Sequence, residues 1–127
     1  MSASEQKRVA LICKKMKERD FQPERFLETG YDAVAIHASS SIITANSAAC
    51  EMFGYTLQEL TGMNAWLLFS PESGSTLMAQ LIKRSTEPYQ VIARHKDGST
   101  FPVELKGHNF VLDDEQLRSV LIRRLDQ

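Results

Sequence analysis

The sequence predicts an α+β domain in which helices pack against an antiparallel β-sheet. Three observations favour this class. Apolar residues recur at helical spacing near the amino terminus and again in the middle of the chain. Short segments rich in β-branched residues lie within residues 31–45 and return after residue 89. Between two of the later segments, Asp97 and Gly98 form a strong hairpin signal, because glycine readily adopts positive φ.

The first predicted element is an amphipathic helix from Glu5 to about Arg19. Its apolar stripe follows the i, i+3, i+4, i+7 spacing and consists of Val9, Ile12, Cys13 and Met16. A second, short helix follows, with Pro23 suited to its first turn and Gly30 to its end. These patterns divide the chain into an amino-terminal helix, residues 1–22, and a domain, residues 23–127.

Two short strands, residues 33–37 and 42–45, are predicted next and are joined by a serine-rich turn. Helical patterns then return. Asn46 lies where an N-cap is expected, and Thr56 is followed three residues later by Glu59, as in a capping box. A longer helix and three more strands complete the prediction, at residues 71–85, 89–95, 100–112 and 117–125.

The composition limits the classes of function. With 127 residues, of which 43% are apolar, the chain can form one domain with a hydrophobic core. A net charge of −1 gives no general attraction to nucleic acid or to an anionic membrane. No apolar run reaches the roughly 18 residues of a membrane span. We therefore expect no nucleic-acid binding, no membrane insertion and a cytoplasmic protein.

The sequence carries no pattern typical of a metal site or of catalysis. Cys13 and Cys50 are far apart and lack the spacing of metal ligands. Neither an HExxH motif nor a glycine-rich phosphate loop occurs. We therefore predict a protein that is not an enzyme and that holds no metal ion.

Several motifs follow one another in the order of a known family. They are "TANSAACEMFGY" with "LQELTG", a "PES" helix start, the hairpin "KDGSTFPVEL" and the last strand "LRSVLIRRLDQ". Over about Phe26 to Gln127 the chain resembles a PAS domain, of the sensory-box type found in bacterial histidine kinases of two-component systems and in cyclic-dinucleotide enzymes. The resemblance implies a PAS fold: a five-stranded antiparallel sheet with helices on one face that form a cup. The amphipathic helix is then an extra amino-terminal element.

The resemblance also implies a signalling role. We expect a small ligand to bind in the cup and the signal to pass to a carboxy-terminal output domain, a kinase or a cyclic-dinucleotide enzyme, that this chain does not contain. The alternative is a ligand-free module for dimerisation or protein docking. Relatives commonly end the last strand with "RDIT", whereas here Arg124 takes the aspartate position and Asp126 lies two residues beyond it.

The resemblance disfavours two cofactors. Flavin-photoreceptor relatives carry an adduct-forming cysteine in a segment that reads "GMNAWLLF" here, where Ala65 takes the position of the cysteine. Haem-binding relatives hold the iron with a histidine of the long helix, and residues 72–85 contain none. Cys50 is expected to pack in the core with Ala49 and Phe53, and a reactive thiol is the alternative. The identity of any cofactor stays unknown.

The side chains predicted to line the cup are mostly apolar, with a few polar groups among them. They are Ile36, Ile43, Asn46, Met52, Phe53, Trp66, Leu77, Leu81, Ile92, Val103, Leu105 and Ser119, with Asn64 and Asn109 near them. Two of these have competing explanations. Asn46 suits an N-cap, and Trp66 can either plug the cup or stack on a ligand.

The apolar stripe of the first helix predicts a homodimer, because an isolated helix of this length is marginal in water unless its apolar face is covered. Pairing with the same helix of a second chain is favoured, since relatives pass conformational change through paired helices. The alternative is that the helix folds back on its own sheet and gives a capped monomer.

Overall fold

A five-stranded antiparallel sheet forms the centre of the computed structural model, which describes residues 2–126. Its strands lie in the order β2-β1-β5-β4-β3, so the last strand of the sequence occupies the middle of the sheet. The strands are β1 Ala33–Ala38, β2 Ser41–Ala45, β3 Tyr89–Arg94, β4 Thr100–Leu112 and β5 Glu115–Arg124. The predicted five-stranded PAS fold is confirmed.

Within residues 2–126, four α-helices and three short 3₁₀ helices surround the sheet. The α-helices are α1 Ala3–Glu18, α2 Ser47–Phe53, α3 Leu57–Leu60 and α4 Gly74–Lys83. The 3₁₀ helices are Pro23–Phe26, Ala65–Leu68 and Pro71–Ser73. The second predicted helix is therefore a single 3₁₀ turn that ends before Gly30, and the long predicted helix begins as 3₁₀ and becomes α-helical at Gly74.

The local signals in the sequence form as expected. The side chain of Asn46 accepts a hydrogen bond from the amide of Ala49 and caps α2. Thr56 and Glu59 make both hydrogen bonds of a capping box at the start of α3. The turn between β3 and β4 places Gly98 at φ +93°, a conformation that favours glycine.

Successive side chains of each strand point to opposite faces of the sheet, and both faces are covered. The inner face packs against α2, α3 and α4, and its buried residues include Ala33, Val103, Leu105 and Ile122. The outer face packs against α1 and the Pro23–Phe26 turn, and its buried residues include Ile36, Ala38, Ile43 and Leu117. The sheet therefore lies between two hydrophobic clusters.

Helix α1 folds back on its own sheet. Val9, Ile12 and Met16 are buried in the outer cluster, and Ile12 has no exposed surface at all. Cys13 is partly buried, and its Sγ donates to the carbonyl of Ile43 at 3.6 Å. The structure thus shows the capped arrangement rather than the favoured pairing of helices, because the sheet of the same chain already covers the stripe.

Ion pairs fix α1 to the turn between β4 and β5. Arg8 Nε lies 3.3 Å from Glu115 Oε1, and Arg19 forms a two-pronged ion pair with Asp113. These pairs are partly exposed, so they set the position of the helix more than they add to stability. The buried stripe supplies most of the attachment.

Candidate ligand-binding site

A cavity of about 60 Å³ lies between the inner face of the sheet and the helices. Most of its wall is apolar, formed by residues such as Ala35, Ile42, Leu68, Leu77, Val120 and Ile122. At one end the wall becomes polar, where His37, Ser39, Ser40, Tyr89 and Arg118 line it. This cavity is the cup that the resemblance implies.

Arg118 is the most unusual side chain in the cup. It is 6% exposed, although arginine rarely lies so deep in a protein without a charged partner. Its Nη1 donates to Asn109 Oδ1 at 3.0 Å and its Nη2 donates to the carbonyl of Ser85 at 2.6 Å. Burial lowers the pKa of Arg118 and the nearby Tyr89 opposes this, but a guanidinium stays charged at neutral pH.

Gly107 makes room for this guanidinium. Gly107 lies on β4, which pairs with β5, and a Cβ atom there would fall 2.0 Å from Nη2 of Arg118. Real Cβ contacts are never this close, so the arginine lies flat on the backbone because residue 107 has no side chain.

His37 lies beside Arg118 on the neighbouring strand, in direct register with it. Its Nδ1 is 2.7 Å from the carbonyl oxygen of Ser39, which can only accept, so Nδ1 carries the proton. Burial lowers the pKa of His37, and the charge of Arg118 lowers it further against the effect of the Ser39 carbonyl. His37 is therefore neutral at pH 7, with Nε2 as a hydrogen-bond acceptor.

Tyr89 completes the polar end of the cavity. Burial raises its pKa, and the positive charge of Arg118 opposes part of that rise. The hydroxyl is protonated at neutral pH and can both donate and accept a hydrogen bond. The polar end thus combines a fixed positive charge, a neutral imidazole and a phenol.

The polar end opens into a surface groove. His37, Trp66, Leu81 and Arg118 line both the cavity and the groove. The groove adds two further arginines, Arg8 and Arg84, and two exposed apolar side chains, Met78 and Ile82. A ligand can therefore reach the cavity past the arginines.

Four of the predicted lining residues do line the cavity: Trp66, Leu77, Leu81 and Leu105. Phe53 and Val103 are buried in the inner cluster, and Met52 packs against it, but none of the three forms the cavity wall. Ala65, at the position of the flavin cysteine in photoreceptor relatives, also lines the cavity.

Asn46 has a structural role that uses its whole side chain. Its Oδ1 accepts from the amides of Val34 and Ala49, and its Nδ2 donates to the carbonyl of Asp32 at 2.8 Å. The residue therefore joins the start of β1 to the start of α2 and does not face the cavity. Asn64 similarly caps the Ala65–Leu68 turn.

Three predicted lining residues and one more candidate lie on the outer face instead. Ile36 and Ile43 belong to the outer cluster. Ser119 donates to the carbonyl of His108, and Ile92 alternates with the inward residues Val91 and Ala93. The prediction was wrong about their faces because the outer face is also covered, so that large apolar residues occur on both sides of each strand.

The polar end of the cavity was not predicted from the sequence. A signal for it existed in β5, where Arg118, Val120 and Ile122 alternate with outward residues. Choosing Ser119 in place of Arg118 is an error of one residue in strand parity, and such an error exchanges the two faces.

Neither cysteine has the surroundings of a reactive thiol. Cys50 is partly buried against the inner cluster beside Ala49 and Phe53, and burial raises its pKa. Burial also raises the pKa of Cys13, against the charge of Lys17. Raised pKa values keep both thiols protonated at neutral pH, which reduces their nucleophilicity.

Two other features are absent from residues 2–126. No three side chains of the histidine, cysteine, aspartate and glutamate types come together there as metal ligands. No helix in that range has both the length and the apolar character needed to cross a bilayer.

At the end of β5, a junction centred on Arg124 joins the strand to Phe101 of β4 and to Asp126. The guanidinium of Arg124 lies 4.1 Å from the centre of the Phe101 ring, and its Nε is 2.5 Å from Asp126 Oδ1. Arg124, at the usual aspartate position, therefore pairs with the aspartate two residues beyond it. Phe101 also packs against Phe53, so the junction touches the inner cluster.

Comparison with known families agrees with this architecture. A family profile described as PAS domain matches residues 32–123. The chain therefore belongs to the PAS domain family, whose members act as sensor modules in signalling proteins. No curated protein gives a significant match to the chain.

Solved structures of PAS domains share the fold. One from Desulfitobacterium hafniense is 24% identical, with a TM-score of 0.65 over 80% of this chain and 99% of that one. One from a two-component sensor histidine kinase is 16% identical, with a TM-score of 0.69 over 86% and 97%. One from a LuxR-family transcriptional regulator of Burkholderia thailandensis, in complex with ethanol, is 13% identical, with a TM-score of 0.63 over 75% and 89%.

Proposed function

We propose that this chain is the sensing module of a larger bacterial signalling protein, and that it binds a small ligand in the cup. Ligand binding then changes the activity of a carboxy-terminal output domain, a histidine kinase or a cyclic-dinucleotide enzyme. One observation carries the proposal: β5 lines the cavity with Arg118, Val120 and Ile122, and the same strand ends at Arg124. A ligand contact in the cup is thus made on the same strand that ends at Arg124.

The relay requires two arrangements of β5 and the segment after it. A ligand shifts their populations only if it binds one of them more tightly than the other. Such a shift would rearrange the contacts of Arg124 with Phe101 and Asp126, because these contacts join the end of β5 to the inner cluster. The module itself senses and does not catalyse, and we place it in the cytoplasm.

The size of the cavity supports a small ligand. Its volume of about 60 Å³ is below the roughly 300–1,000 Å³ of pockets that hold drug-sized molecules or large cofactors. The ethanol complex of the Burkholderia thailandensis regulator is an example of a PAS domain with a ligand of two carbons. Flavin and haem, both larger, stay disfavoured for this chain.

The test is an NMR titration of the isotope-labelled chain with alcohols, amides and carboxylates of two to five carbons. We expect at least one class to shift the signals of Leu105, Val120 and Ile122 in a saturable way. The variant Ala65→Leu fills the cavity and should abolish those shifts, while Ala10→Leu, the same change at an exposed position of α1, should leave them intact. Saturable shifts that survive Ala65→Leu, or none in any class, would exclude a sensing cup.

A second candidate is a ligand-free dimerisation module. The observation in its favour is that α1 is held to the sheet by one compact stripe, Val9, Ile12, Cys13 and Met16, near the chain's amino end. Two chains that exchange α1 would keep the same buried contacts and gain twofold symmetry. Sedimentation tests this directly: a native dimer that a chain starting at Phe21 cannot form supports exchange, and a native monomer excludes it.

A further inference from the structure

The geometry points to a short-chain carboxylate as the ligand of the cup, with its carboxylate on Arg118 and its apolar tail in the cavity. This inference rests on the proposed function and names the chemical class of ligand that the same site would take.

The charge of Arg118 lacks a counterion. Across residues 2–126, no ion pair includes Arg118, and the groups that accept its hydrogen bonds, Asn109, Ser85 and the Tyr89 hydroxyl, are all neutral. Burying an unpaired charge is costly, and a paired one is far better tolerated. An anionic ligand would supply the missing charge at the point where the cavity wall turns polar.

Arg118 also keeps hydrogen-bond donors for such a ligand. A guanidinium has five N–H groups in a planar fork that matches the two oxygens of a carboxylate. Asn109 and Ser85 take one each, and the Tyr89 hydroxyl takes a further one. Tyr89 adds a hydroxyl that can donate to a carboxylate oxygen beside the same guanidinium.

The groove that leads to the cavity favours anions over cations. Arg8, Arg84 and Arg118 line it, and no aspartate or glutamate is among its lining residues in the part of the chain that is described. Arg8 is paired with Glu115, but Arg84 bonds only the amide oxygen of Gln116 with its side chain in that same range. The entrance is therefore positively charged, which attracts anions and repels amines.

The cavity sets the length of the tail. A dry cavity of about 150 Å³ accommodates benzene in a well-studied case. The cavity here is less than half that size and its wall is largely apolar. A tail of about two to four carbons fits this space, so butyrate and valerate are the probes of choice.

The experiment compares butyrate with butyramide and butylamine, which have nearly the same shape and differ in charge, on the full chain at pH 7. Dissociation constants come from calorimetry or NMR titration. We expect butyrate to bind the native chain at least about tenfold more tightly than butyramide, since hydrogen bonds to a charged group are the stronger ones. Butylamine should bind most weakly.

Two variants locate the preference. Arg118→Gln should reduce the ratio of butyrate affinity to butyramide affinity to about one, whereas Arg94→Gln, at an exposed position of β3 that lines neither the cavity nor the groove, should leave that ratio unchanged. Melting curves establish that both variants are folded, and the comparison of three ligands on the native chain stands without them. Arg118→Lys, which keeps the charge and loses the fork, should retain part of the preference.

Each outcome separates this inference from the proposed function. If butyramide binds as tightly as butyrate in the cavity of the native chain, the carboxylate class is wrong and the sensing cup stands. A preference for butyrate that persists unchanged in Arg118→Gln would also overturn the inference. If none of the three ligands, and no alcohol, binds in the cavity, the proposed function fails with it.

Discussion

The two faces of the sheet are both apolar and both covered, but helices pack on them differently. On the outer face, α1 packs in one cluster with strand residues such as Ile36 and Leu117, and Ile12 is fully buried there. On the inner face, the helices leave a cavity that ends at a buried arginine. The outer face therefore serves stability, and the inner face gives up packing for a binding site.

The largest expected effect comes from disrupting the contact between α1 and the outer face. Ile12→Glu places a carboxylate at a fully buried position, and the expected loss is at least about 3 kcal/mol of unfolding free energy. Leu11→Glu is the matched control, because Leu11 is 48% exposed on the same helix and should cost about 0.5 kcal/mol or less. Urea unfolding measures both. Equal losses would mean that α1 is not docked on the sheet.

The next effect tests how the helices of the inner face are attached. Asn46→Ala removes the cap of α2 and both links to β1, and we expect a loss of about 2 kcal/mol. Asn46→Asp keeps the accepting oxygen and loses only the bond to the carbonyl of Asp32, so its loss should be smaller. A loss in Asn46→Asp as large as that in Asn46→Ala would show that the cap contributes little.

A smaller effect is expected at Gly107, against which the guanidinium of Arg118 packs. Gly107→Ala pushes the guanidinium of Arg118 off the strand, and we expect a loss of about 1 kcal/mol together with weaker binding of butyrate. At Gly74 a Cβ atom meets nothing within 4 Å, so Gly74→Ala in α4 should be neutral or slightly stabilising. Thermal unfolding with and without butyrate compares the two. Unchanged butyrate binding in Gly107→Ala would show that Gly107 does not position the guanidinium of Arg118 for the ligand.

The smallest effect concerns Tyr31 at the edge of the outer face. Burial and a 2.7 Å hydrogen bond to Glu104 raise the pKa of Tyr31 to about 12. The folded state thus holds this proton more tightly than the unfolded state, whose tyrosine titrates near pH 10. The resulting stability is complete below about pH 10 and is lost as the pH rises toward 12.

Absorbance titration near the phenolate band checks the Tyr31 prediction. Tyr31 should ionise late in the native chain, in a step that Tyr31→Phe removes, and Glu104→Gln should bring that step to lower pH without abolishing the part due to burial. A single titration step at pH 10 for every tyrosine would show that Tyr31 is solvated.

The sequence was sufficient for the elements and insufficient for the faces. Caps such as Asn46 and the Thr56–Glu59 pair act through neighbours in the chain, so short patterns predict them well. The stripe of α1 was visible too, but the sequence could not say whether its own sheet or a second chain would cover it. That choice depends on packing between residues far apart in the chain, such as Ile12 and Leu117, which belong to one cluster.

The binding site was the hardest part to predict. Trp66, Leu77, Leu81 and Leu105 were found because they are apolar and near the motifs of the family. Hydrophobicity could not distinguish Ile36 or Ile92 from inward residues when both sides of each strand are covered. Arg118 was missed because an arginine is normally placed at the surface, and only the paired register of β4 and β5 brings it over Gly107.

The most direct measurement of the central claim is the map of NMR shift changes when butyrate is added to the native chain. We expect saturable changes along the inner face at Leu105, Arg118 and Val120, continuing to Arg124 at the end of β5. No change is expected in the outer stripe at Ile12. Changes concentrated on the outer face, or no saturable change at the inner face, would contradict the claim that the inner face binds the ligand and the outer face stabilises the fold.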